Sequence, residues 1–104
     1  MIGPKAYIHI DRLKNNLSNI KNQIGNKSLM VVVKADGYGH GAVTIARALK
    51  NEDKIIFCVF TIEEALELRN NGISNNIFIF SKMHSSWLEI AYEQDFWINL
   101  TSFD

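Results

Sequence analysis

The stretch Met30-Val31-Val32-Val33-Lys34-Ala35-Asp36-Gly37-Tyr38-Gly39-His40-Gly41-Ala42 sets how the rest of the chain is read. Its first four residues are apolar and mostly β-branched, and the run is too short for a helix. It therefore predicts a buried strand of about residues 29–34. Lys34 falls at the carboxyl end of that strand. Glycines follow at 37, 39 and 41, with Tyr38 and His40 between them, and a new apolar pattern begins at Ala42. Strand, lysine, glycine loop and helix form an arrangement suited to a phosphorylated small molecule held beside an amine.

Outward from this stretch, the same grammar repeats. Residues 6–10, AYIHI, alternate as a short strand, and Asp11 stands where an N-cap belongs. Leu13, Leu17, Ile20 and Ile24 then place one apolar stripe on a helix of about residues 12–24. After the glycine loop, Ala42, Ile45, Ala46 and Leu49 mark a helix ending near Asn51. IIFCVF, 55–60, is a second continuous apolar strand. Thr61 and Glu64 have capping-box spacing, and the helix they open runs to Asn71, with Gly72 placed as a left-handed cap. IFIF, 77–80, is a third strand. Ser86 and Glu89 repeat the capping-box spacing ahead of a helix to about Gln94, and FWINL, 96–100, is a fourth strand.

Strands that are apolar throughout, with a helix in each interval, predict a parallel sheet covered on both faces. Four βα units suit a doubly wound sheet, or less than half of a (β/α)8 barrel, which takes roughly 250 residues. The 104 residues read as one domain with no linker or low-complexity segment. An apolar content of 47% is that of a globular chain. Formal net charge is zero and no basic run occurs, so no nucleic-acid partner is expected. Nothing approaches the ~20 apolar residues of a membrane span, and the start lacks a secretory signal, so the cytoplasm is the expected location. The one cysteine, Cys58, lies in an apolar run and is expected to be a buried, inert thiol, with no metal site.

The chemistry-bearing residues each carry a bland alternative. Lys34 after a strand can simply snorkel to water. The loop that follows favours instead an amine on rigid backbone, partly desolvated for carbonyl chemistry. Residues 37–42 also fit the dinucleotide fingerprint G-x-G-x-x-A. That reading needs an acid at the end of the next strand, where Phe60 and Thr61 stand, and it leaves Lys34 without a role. Tyr38 between glycines has no apolar face and is suited to donating to a phosphate. His40 is expected to hold the turn rather than to act as a base. His9 and His84 have no partners at ligand spacing, and Glu63-Glu64 serve the helix start.

VVKADGYGHGA, 32–42, resembles the signature of the alanine racemases, pyridoxal 5′-phosphate enzymes of fold type III. IHIDRLKNNL, 8–17, and FCVFTIEEALELRNNGI, 57–73, are similar to that family's amino-terminal segment and next βα unit. The resemblance implies that residues 1–104 are the amino-terminal portion of a (β/α)8 barrel, incomplete at about four βα units and without the family's second, β-rich domain. It assigns Lys34 the Schiff base to pyridoxal phosphate and acid–base work on one face of the substrate. Tyr38 is assigned a hydrogen bond to the cofactor phosphate. Gly37 stands where the family usually has alanine or another small residue, a departure that leaves both positions intact. The implied reaction interconverts L- and D-alanine, with serine or another small amino acid as an alternative substrate and a homodimer as the working form. The opposite base and the remaining phosphate contacts belong, in the family, to residues beyond those matched. The isolated chain is therefore expected to be an inactive fragment, or else a non-catalytic binder of the cofactor.

Overall fold

The structure, a computed structural model, describes residues 10–33, 40–81 and 84–99. Helix α1 spans Ile10–Ile24 and is followed by strand β1, Leu29–Val32. Then come α2, His40–Leu49; β2, Ile55–Val59; α3, Ile62–Asn70; and β3, Ile77–Ile79. A 3-10 turn at Ser85–Trp87 leads into α4, Leu88–Gln94, and β4 is Phe96–Ile98. The four strands form one parallel sheet in the order β1-β2-β3-β4.

That order decides between the two sheet architectures. Parallel crossovers are right-handed, so consecutive strands added in one direction put every connecting helix on the same face. A doubly wound sheet needs a reversal of strand order, and the described strands have none. The core agrees. Val33, Ile55, Phe57, Val59, Ile77, Ile79 and Phe96 on the strands meet Leu17, Ala42, Ala46, Leu49, Ile62, Ala65, Leu68 and Ala91 on the helices. Along each strand the alternate residues point to the opposite face. There Met30, Val32, Phe80 and Trp97 are exposed, Val32 by 51%. The expectation of helices on both faces is thus corrected. β2 is buried at every position, whereas β1 and β3 alternate.

Local boundaries shift for identifiable reasons. Ile10, expected to close a strand at 6–10, opens α1, and the rest of that strand lies outside the described residues. Asp11 is consequently in the first turn rather than at the N-cap, where its charge still suits the helix dipole. Ile20, placed on the apolar stripe, is 42% exposed, since Leu17 and Leu13 make the contact with the core. β1 and β4 are shorter than expected, and α2 starts at His40, which takes Gly41 into its first turn.

The two capping boxes part company. At α3 the Thr61 hydroxyl accepts from the Glu64 N–H at 3.1 Å, and Glu64 Oε1 accepts from the Thr61 N–H at 3.0 Å. Gly72 then closes the helix end at φ +82°. Ser86 and Glu89 form no such box. The 3-10 turn is led by His84 and α4 by Trp87, neither with a side-chain cap. Thr61→Ala is therefore expected to lower stability by about 1 kcal/mol. Ser86→Ala should change it by less than about 0.5 kcal/mol. Denaturant melts of the two variants check the contrast.

Candidate functional site

Parallel α/β folds place their chemistry at the carboxyl ends of the strands. At that end of β1, the Val33 N–H donates to the Cys58 carbonyl at 2.9 Å, continuing the ladder one residue past Val32. Val33 is 1% exposed. Lys34 and Tyr38, the two expected cofactor residues, lie in 34–39, outside the described residues. On the far side of that interval α2 begins at His40, with no acidic residue in its first turn. A Cβ added at Gly41 meets no described atom within 4 Å. The glycine is thus required there neither by packing against the described residues nor by a left-handed φ.

The next strand end is held by Glu64. Its Oε1 also accepts from the Phe60 N–H at 2.7 Å, so the carboxylate ties the last turn of chain after β2 to the start of α3. Glu64 therefore does serve the helix start, as expected of the Glu63-Glu64 pair, while Glu63 points to solvent. After β3, His84 lies edge-on to Trp87 at 4.6 Å between ring centroids. Among the described residues no group of three His, Cys, Asp or Glu side chains is placed to hold a metal ion. None of the described helices is long and apolar enough to cross a membrane.

Cys58 stands on the inner face of β2, buried at 1% exposure, and is the free thiol the sequence leads one to expect. Burial pushes its pKa up. The folded chain therefore keeps this proton at pH values where the unfolded chain has begun to lose it. The associated stability is full below the unfolded thiol value and is lost as pH rises through the folded one. Near neutral pH a thiol reagent is expected to modify Cys58 only as fast as the chain opens. Rapid labelling of the folded chain would contradict this.

Sequence reasoning gave no role to Arg69, which organises the opposite, amino end of the sheet. Its Nη1 donates to the carbonyls of Ile73 and Asn75, both at 2.8 Å. Nε and Nη2 donate to the Gln94 carbonyl at 3.1 and 3.0 Å. The guanidinium also lies 5.3 Å from the centroid of the Phe96 ring. Desolvation draws its pKa down, and the charge of Asp95 draws it up. The only advance signal is a basic residue in the last turn of a helix. Recesses lined by Arg69, Ser74 and Asp95, and by Ser28, Lys54 and Asn75, open at this end. It is the end that supports the fold in such architectures.

A parallel sheet wound in one direction, helices on one face and an open apolar inner face, is the wall of a (β/α) barrel. The profile of the family described as "Alanine racemase, N-terminal domain" matches residues 8–104, and the chain belongs to that family. It is 45% identical over 85 residues to an alanine racemase of Hamiltonella defensa, covering 82% of this chain and 23% of the relative. It is 37% identical over 101 residues to an alanine racemase of Streptococcus pneumoniae, covering 96% and 27%. The crystal structure of alanine racemase from Oenococcus oeni superposes with a TM-score of 0.73 at 25% identity. That match covers 86% of this chain and 25% of the other. The chain thus spans about a quarter of the length of these relatives.

Proposed function

We propose that residues 1–104 form the amino-terminal portion of a pyridoxal-phosphate-binding barrel domain and supply the lysine half of an alanine racemase site. The observation that carries the reading is the family match across 8–104, a range that includes the lysine–glycine stretch. The surroundings of that stretch suit such a cofactor. The inner face beside β1 is apolar, with Met30 and Val32 on it. The first turn of α2 holds no carboxylate to repel a phosphate, and at Gly41 the described structure leaves open space.

In this reading Lys34 Nζ attaches the cofactor. The same nitrogen would also carry the α-proton on one face of the amino acid. The phenol of Tyr38 would donate to the cofactor phosphate. Pyridoxal phosphate, when bound, supplies an electron sink for the pair left behind as the α-proton departs. Inversion needs a second base on the opposite face, and no residue of this chain is assigned to it. By resemblance it comes from the partner subunit of a homodimer. The cytoplasm is the proposed setting, and D-alanine the proposed product.

A chimera tests this. Residues 1–104 replace the matching quarter of the Streptococcus pneumoniae alanine racemase, and chiral chromatography follows D-alanine formed from L-alanine. The chimera is expected to racemise. A chimera that folds and binds pyridoxal phosphate but forms no D-alanine would refute alanine as the substrate, and serine in the same assay distinguishes the nearest alternative.

A further inference from the structure

Arg69 and the carbonyls it binds have no part in the proposed reaction, yet they meet where the sheet is held least firmly. In residues 84–99 only Ala91 and Phe96 are buried, whereas all five residues of β2 are. β4 has three residues and, among the described strands, pairs with β3 alone. α4 has seven, too few for a helix to persist on its own hydrogen bonds. A further tie comes from α3. Nε and Nη2 of Arg69 both donate to the carbonyl of Gln94, the last residue of α4, which no N–H of that helix can reach. The same guanidinium lies against the Phe96 ring, and its Nη1 holds the carbonyls of Ile73 and Asn75 ahead of β3. One planar group thus joins the end of α3, the approach to β3 and the turn from α4 into β4.

We propose that Arg69 is a latch on residues 84–98, a unit that opens as one body while β1, β2, β3 and α3 stay folded. Segments that bury few apolar side chains open at lower free energy than the whole domain, and they do so in contiguous cooperative pieces. The 84–98 unit has that character, and Phe96, one of its two buried side chains, is the one the guanidinium covers. The fork of the guanidinium is what the latch needs. Two N–H groups converge on one carbonyl oxygen while a third nitrogen reaches two others, a span that a lysine ammonium does not match. Lys54 makes a simpler tie, from Nζ to the Asn26 carbonyl at 2.7 Å, but it is exposed and stands beside the fully buried β2. Opening of 84–98 leaves β3 with an unpaired parallel edge, so the latch also guards the sheet against wrong pairing.

Hydrogen exchange of the full chain, read by mass spectrometry on its fragments, is the test. In the parent, amides of 84–98 are expected to exchange faster than those of 55–68. Arg69→Met should speed exchange across 84–98 about tenfold or more, through loss of charge-assisted hydrogen bonds, and move 55–68 by less than about twofold. Arg69→Lys keeps the charge and loses the fork, and it is expected to open the same residues nearly as much. Lys54→Met should leave 84–98 at the parental rate. The latch is overturned if 84–98 exchanges no faster than 55–68 in the parent, or if either Arg69 variant leaves 84–98 fully protected. An equal rise in both segments, an Arg69→Met chain that no longer folds, or faster exchange of 84–98 in Lys54→Met would overturn it as well, by making Arg69 one more contributor to global stability.

Discussion

Lys34→Ala in the chimeric racemase is expected to reduce D-alanine formation by a factor on the order of 10³ or more, because one side chain has two jobs there. In the proposed function it would hold the cofactor covalently and move the α-proton, and a positioned acid–base group alone contributes roughly 10²–10⁴. Added primary amine should recover part of the rate by standing in for the missing nitrogen, while the melting temperature of the variant stays at the parental value. Parental turnover by Lys34→Ala would remove the lysine from the reaction.

Phe57→Ala should have the largest effect on the fold. Phe57 is fully buried on β2, hydrogen-bonded between β1 and β3, and its ring sits in the single core that joins sheet to helices. Removing such a ring costs about 3–5 kcal/mol, as lost burial and a residual cavity. Against a total stability of about 5–15 kcal/mol for a domain, that is a large share. The expected result is a sharply lowered denaturant midpoint, with Phe57→Leu much nearer the parent. Substitution at Phe80, on the inner face, should cost far less stability, so the pair also tests which face of the sheet carries the core.

Every described strand and helix was legible in the sequence, because buried parallel strands and amphipathic helices have different periods. What the pattern hid was the inner face. Met30, Val32, Phe78 and Trp97 are as apolar as Leu29, Val31 and Ile77, so hydropathy cannot tell a face covered by helices from the interior wall of a barrel. Strand order distinguishes them, and order is a tertiary fact. Ser86 and Glu89 have the spacing of Thr61 and Glu64, yet a 3-10 turn entered from His84 takes the place of the cap. Spacing proposes a cap, and the approach of the chain decides it. Arg69 escaped notice for a similar reason, since its partners are backbone carbonyls that no side-chain pattern marks. The lysine–glycine stretch was legible at the level of motif and family.

The most direct measurement is to incubate the folded chain with pyridoxal phosphate, reduce it with borohydride, and map the modified residue by mass spectrometry. The account predicts the adduct on Lys34, with exposed lysines such as Lys14, Lys27 and Lys50 essentially unmodified at equimolar cofactor. An adduct spread over those surface lysines, or fixed on another lysine with Lys34 untouched, would contradict it.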